Sequence, residues 1–222
     1  MTTRTRLVVF DVDGTLVDSQ AVIVASMLDA FDAVGHVPPA RDQILRIVGL
    51  SLPVAMARLA PDADIDRMVQ TYKDSFVSRR AAAGSAQSSP LYPGARGMLE
   101  RLQATPGILL GIATGKSRRG LDLLLEAYDF GPIFVTQQVA DFHPSKPHPA
   151  MLHAAMDEAG VEADHAVMIG DTTFDMDMAR SAGMPFIGVS WGYHPADHLT
   201  YATTVLNDFD SLDAALATMW ER

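Results

Sequence analysis

Four clusters of polar residues, each following a short apolar run, punctuate this chain of 222 residues. Val8-Val9-Phe10 ends at Asp11-Val12-Asp13-Gly14-Thr15, and Ile112-Ala113 ends at Thr114-Gly115-Lys116-Ser117. Pro144-Ser145-Lys146-Pro147-His148-Pro149 is the third cluster, and Met168-Ile169-Gly170 leads into the fourth, Asp171-Thr172-Thr173-Phe174-Asp175. Apolar runs this short and this rich in β-branched residues have the look of strands buried on both faces, the condition of a parallel sheet. Ligands of open α/β sheets collect beyond the carboxyl ends of the strands, so the same clusters constrain the fold and the place of the chemistry. Asp11 and Asp13 would emerge at the tip of the first strand, where Gly14 lets the backbone turn close to a ligand.

Between these clusters the pattern predicts strands over 7–10, 108–113, 133–135, 165–169 and 186–189, with a weak one near 203–206. Helices are expected over 94–103, 116–128, 149–159, 174–182 and 212–220. Strands alternating with helices mean a doubly wound parallel sheet. Residues 18–90 break the alternation: helices are expected at 19–34, 41–47, 53–59 and 66–80, with a Pro38-Pro39 break and a linker-like stretch, rich in Ala, Ser and Gly, over 81–90. The expected organisation is an α/β core of residues 1–17 and 91–222, with a small helical domain, 18–90, inserted after the first strand.

Composition narrows the chemistry. With no cysteine, disulfides, thiolate nucleophiles and sulfur-ligated metals are excluded. A net charge of −10 argues against nucleic acid as the main partner, yet a lysine and a divalent cation can reverse the sign locally for a small phosphorylated substrate. No apolar run approaches the roughly 20 residues of a membrane span, and Met1 to Arg6 runs directly into the first strand without a signal segment. The expectation is a cytoplasmic enzyme, monomeric or homodimeric.

The four clusters, in this order, resemble the signature motifs of the haloacid dehalogenase (HAD) superfamily, and within it the phosphoglycolate phosphatase-like branch. The resemblance runs over essentially the whole chain. It implies a Rossmann-like core with a helical cap, and a Mg²⁺-dependent phosphatase acting on a small phosphate monoester through an aspartyl phosphate. It casts Asp11 as nucleophile and Asp13 as the acid that protonates the leaving oxygen and later deprotonates water. Thr114, the Gly115 N–H and Lys146 would bind the phosphoryl group. Asp11, the main-chain carbonyl of Asp13 and Asp171 would hold the metal, and Asp175 would orient a water or the loop. In the inserted helices, Val48 to Pro53 resembles the specificity loop of capped phosphatases, which marks Gly49, Ser51 and nearby Arg46 as candidates for substrate selection.

Each residue also has a plainer role. Asp171 would serve as a helix N-cap, Thr114-Gly115 as turn chemistry, and residues 48–53 as packing. Lys116 is expected in the first turn of the next helix, His143 and His148 on the surface, and Trp191 to His194 in loop packing. Two other functions compete. A phosphosugar mutase similar to β-phosphoglucomutase would use the same motifs and is separated by product analysis on a hexose 1-phosphate. A signalling receiver domain would lack both the acid at position 13 and the inserted helices.

Overall fold

The computed structural model describes residues 4–221; Met1–Thr3 and Arg222, which the sequence reading assigns to the core, lie outside the described residues. Strand β1 (Arg6–Phe10) is followed by five helices: α1 (Gln20–Ala33), α2 (Arg41–Leu45), α3 (Leu52–Leu59), α4 (Ile65–Ala83) and α5 (Ser85–Ser88). Then come α6 (Ala95–Ala104), β2 (Ile108–Thr114), α7 (Arg118–Tyr128), β3 (Phe134–Val139), α8 (Ala150–Ala159), β4 (Ala166–Gly170), α9 (Thr173–Ser181), β5 (Phe186–Val189), β6 (Thr204–Leu206) and α10 (Leu212–Trp220). The six strands form one sheet in the order β3-β2-β1-β4-β5-β6, with every pairing parallel. This is the expected doubly wound core. Its order reverses at β1, which opens the ligand crevice beside the tips of β1, β2 and β4.

Alternation along the strands builds a separate core on each face. Val8 and Phe10 of β1 join Leu110, Ile112, Val167 and Ile169 under α6, α7 and α10. Leu7 and Val9 point the other way, to Met151 and Leu152 of α8 and Met176 of α9. A third core lies wholly within the inserted helices, where α1 packs on α4 through Met27, Phe31, Met68 and Tyr72.

The chain leaves the sheet and returns to it at one place. Asp18 donates its N–H to Pro90 O (2.8 Å), Tyr92 donates to Leu16 O (3.0 Å), and Val17 bridges Leu91 antiparallel. The stretch expected to be linker-like is mostly helical, because Ala81 to Ala83 extend α4 by favourable propensity before Gly84, at φ +83°, ends it and α5 begins. Helix α7 starts two residues later than expected, since the Ser117 hydroxyl accepts the Gly120 N–H (3.2 Å) as N-cap. Lys116 is therefore outside the helix. β3 runs farther than its apolar letters indicate, through Gln137 and Gln138.

Candidate active site

Asp11 leaves β1 with its N–H bonded to Ile169 O (2.9 Å), which holds it against the end of β4. Its carboxylate is 1% exposed. Lys146, equally buried, places Nζ 2.9 Å from Asp11 Oδ1 and 2.6 Å from Asp175 Oδ1. Asp175 is fixed in turn by the start of α9. Its Oδ2 accepts the Thr172 N–H (3.1 Å) and hydroxyl (2.7 Å), while the Asp175 N–H donates back to the Thr172 hydroxyl (3.2 Å), a reciprocal cap. Thr172, not Asp171, is therefore the N-cap of α9. Asp171 accepts the Thr15 hydroxyl at Oδ1 (2.8 Å) and the Tyr193 N–H at Oδ2 (2.8 Å). Carboxylate oxygens of Asp11, Asp171 and Asp175 all lie within 4.8 Å of one another.

Packing three carboxylates around one ammonium out of water strains their ionisation. Burial pushes the Asp11 carboxyl up to about 7; Lys146 opposes the rise, and Asp175 and Asp13 add to it. Asp171 is pushed well above the carboxylate range by burial, then by Asp175 and Asp11, against the hydrogen bonds from Tyr193 and Thr15. Burial would lower the Lys146 ammonium, but Asp11 and Asp175 outweigh it and the net shift is upward. Asp11 Oδ2 has no hydrogen-bond partner. A buried orphan oxygen on Asp11, with Asp11 and Asp171 both held above the usual carboxylate range in an all-oxygen donor set, fits a hard divalent cation such as Mg²⁺. The histidines and the absence of cysteine give no basis for a zinc site here.

Asp13 faces elsewhere. Its Oδ2 is 2.8 Å from Lys116 Nζ, its Oδ1 has no hydrogen-bond partner, and Lys116 Nζ also stands 4.7 Å from the centre of the Phe76 ring. The structure thus brings Lys116, expected in the first turn of the next helix, to the candidate acid. The signal was present: Ser117-Arg118-Arg119-Gly120 caps a helix from 118 onward, which leaves residue 116 in the loop at the tip of β2. Thr114, buried, ends β2 with its hydroxyl accepting the Lys116 N–H (3.3 Å). Arg80 was not anticipated either. It continues the buried i, i+4 series Met68, Tyr72, Phe76 on α4, and its Nε and Nη1 lack partners, with only Nη2 near Leu123 O (3.4 Å). Burial lowers its guanidinium, partly offset by Asp13.

The inserted helices close over this floor. A Cβ on Gly115 would lie 2.5 Å from Gly49 O and 2.8 Å from Leu50 O, so the loop before α3 rests directly on the backbone at the tip of β2. Gly49 itself has φ +102°, a conformation side chains resist. The Ser51 N–H donates to the Ser145 hydroxyl (2.9 Å). His194 accepts the Thr173 N–H at Nδ1 (3.1 Å), which leaves Nε2 to donate to Arg46 O (3.0 Å); burial lowers its pKa and favours this neutral form.

Of the three candidates in this loop, Gly49 alone borders the cavity, and Ser51 meets Ser145 only through its main-chain N–H. Arg46 does not border the cavity: its side chain is 72% exposed and pairs with Asp42 (3.4 Å), because it follows the short α2 on the solvent side. His148 is exposed, whereas His143 is half-buried and bonds Gln138 Oε1 (2.7 Å); neither borders the cavity. Trp191 donates to Thr15 O (3.1 Å) and packs on Phe209, which also agrees with loop packing.

The cavity above Asp11, Asp13, Thr114, Gly115 and Lys116 has a volume of about 270 Å³. Among the described residues, no helix is long and apolar enough to cross a membrane.

Known proteins share both sequence and shape with this chain. The family model for haloacid dehalogenase-like hydrolases matches residues 8–189. A probable phosphatase, IndB, of Dickeya dadantii is 35% identical over 199 residues, 88% of this chain and 86% of that protein. A phosphoglycolate phosphatase of Rhodospirillum rubrum is 34% identical over 218 residues, 93% of this chain and 89% of the relative. Among solved structures, a hydrolase from Pseudomonas syringae superposes with a TM-score of 0.83 at 26% identity, covering 97% of this chain and 99% of its own.

Proposed function

The chain belongs to the haloacid dehalogenase-like hydrolase family and is a phosphatase, and from that premise we propose that it hydrolyses a small phosphate monoester through an aspartyl phosphate on Asp11, with Mg²⁺ bound. Phosphoglycolate and sugar phosphates are members of that substrate class. The observation that carries the reading is Asp11 itself, a buried carboxylate at the floor of the cavity with one oxygen on Lys146 and the other without a partner.

Phosphate monoesters are so inert that enzymes accelerate their hydrolysis by up to about 10²¹-fold, which no single group supplies. The Asp11 carboxylate attacks phosphorus in line with the departing alcohol oxygen. Asp13 delivers a proton to that oxygen, then takes one from the water that opens the aspartyl phosphate; each transfer is worth roughly 10²- to 10⁴-fold. Thr114 and the Gly115 N–H donate to phosphoryl oxygens. Lys146, steadied by Asp175, keeps Asp11 oriented and its charge balanced. Asp11, Asp171 and the Asp13 carbonyl would hold Mg²⁺, which supplies neutralising charge for the phosphoryl oxygens. Residues 18–90 act as a cap that excludes water from the reacting centre. The receiver-domain alternative loses its ground with the acid at position 13 and the inserted helices both in place.

Asp13→Asn tests the reading by leaving group. An alkyl ester leaves as a basic alkoxide and needs the proton, whereas p-nitrophenolate leaves without it. The variant is expected to lose ~10²- to 10⁴-fold on alkyl phosphates and less on p-nitrophenyl phosphate. Rapid mixing with the aryl ester should show a burst near one equivalent, with phosphate trapped on Asp11 and none in Asp11→Asn. Equal losses for both esters with no labelled enzyme would remove Asp13 as acid and base.

A further inference from the structure

The cavity has two kinds of surface. Its floor carries the phosphate chemistry, at Asp11, Asp13 and Thr114, while the wall above is built from Ile23 and Met27 of α1, Val48 and Leu50 of the loop, and Phe76 and Val77 of α4. These wall side chains offer no hydrogen-bonding atom. Tyr72 of α4 adds one hydroxyl to this wall, and of the polar side chains higher up Gln70 donates to Asp74 (3.0 Å) and Lys73 pairs with Asp141 (3.6 Å). Lys116 is held by Asp13, and Arg119 is exposed to solvent.

A group bound above the phosphate therefore meets mainly hydrocarbon. Beyond the one that Tyr72 could meet, the hydroxyls of a sugar would enter without partners and forfeit their hydration. The carboxylate of a short hydroxy acid would meet Lys73 and Lys116 already committed to carboxylates, with Arg119 left on the solvent side. An apolar group loses nothing there and gains burial, about fourfold in binding for each methylene removed from water. The volume of about 270 Å³ is also generous for a two-carbon leaving group. We infer that the preferred substrate is a phosphate monoester of an apolar alcohol, a chain or ring of several carbons. This rests on the phosphatase reading and narrows it.

Primary alkyl phosphates provide a clean test, because their alcohols share one basicity and differ only in the surface they bury. With Mg²⁺ present, kcat/KM is measured for ethyl, butyl and hexyl phosphate and for phenethyl phosphate, beside phosphoglycolate, glucose 6-phosphate and p-nitrophenyl phosphate. The expected result is a rise of about fourfold per methylene, carried by KM, with phosphoglycolate and the sugar phosphate below hexyl phosphate. Ala55, small and at the cavity wall, supplies the second arm: Ala55→Leu takes up the space and is expected to cut the hexyl-to-ethyl ratio by roughly tenfold or more. Val77→Thr, isosteric and only partly buried, is expected to flatten the series by adding a hydroxyl to the wall. A flat or falling alkyl series, or phosphoglycolate turned over best, overturns the inference while the phosphatase reading stands. Hydrolysis of none of the esters, p-nitrophenyl phosphate included, overturns both.

Discussion

Replacing Lys146 by methionine removes the ammonium while keeping its volume in a site with no solvent access. At 2.9 Å from Asp11 and 2.6 Å from Asp175, each attraction amounts to about 6 kcal/mol at an effective dielectric near 20. Desolvation of the lysine offsets much of that sum, and breaking a buried pair from one side costs about 3–5 kcal/mol in practice. The two carboxylates share this loss unequally. Asp175 keeps its hydrogen bonds from Thr172, whereas Asp11 Oδ2 has none, so most of the damage falls on Asp11. Urea unfolding at pH 8 in chelator is expected to show Lys146→Met destabilised by about 3–5 kcal/mol. Adding Asp11→Asn should return about 2 kcal/mol or more of it, a coupling of the size seen between groups in one network. Below pH 7 the gap should narrow, because a protonated Asp11 needs no counter-ion. A loss under about 1 kcal/mol, unchanged with pH and additive with Asp11→Asn, would mean that the buried ammonium does not hold this site together.

Two further outcomes follow from the same geometry. In the metal-free protein, Asp11 and Asp171 bind protons more tightly folded than unfolded, since their pKa values are raised. Stability should therefore fall as pH rises from about 4 through about 7, by a few kcal/mol, the reverse of ordinary acid denaturation; Mg²⁺ should oppose the fall by binding the ionised carboxylates, and unfolding midpoints that rise with pH in chelator would contradict this. Gly115→Ala puts a Cβ 2.5 Å from Gly49 O and is expected to lift the loop, lowering kcat/KM on every ester by about tenfold or more and raising amide exchange over residues 45–52. Unchanged exchange there would refute the contact.

The core was legible because its strands obey a two-residue alternation that buries both faces, and its polar clusters sit where those strands end. Asp11, Thr114, Lys146, Asp171 and Asp175 converge because each closes or follows a sheet element whose position the pattern already shows. What escaped the reading depends on contacts across the chain. Arg46 looks like a specificity residue by its neighbours in sequence, but the solvent side of α2 turns it outward. Lys116 resembles any lysine opening a helix until Ser117 takes the cap. Arg80 reads as one of a surface pair with Arg79, and only its place on the apolar stripe of α4 betrays its burial. His194 lies far in sequence from the loop carbonyl it holds, and no local pattern reports that bond.

The paired crossing at Leu16–Asp18 and Pro90–Tyr92 bears on how such a chain can assemble quickly. Leu7 pairs with Leu109, so β1 must find β2 across about a hundred intervening residues, and closing a flexible loop costs roughly 0.6 kcal/mol more for every doubling of its length. Most of that intervening chain carries its own apolar cluster between α1 and α4. Once this cluster condenses, its two ends already stand side by side. The span that must still be searched is then only the chain from Leu7 to Leu16 and from Tyr92 to Leu109, and a contact remote in sequence becomes a much nearer one. Substitutions at Met27 or Phe31 should accordingly slow the formation of a sheet they never touch.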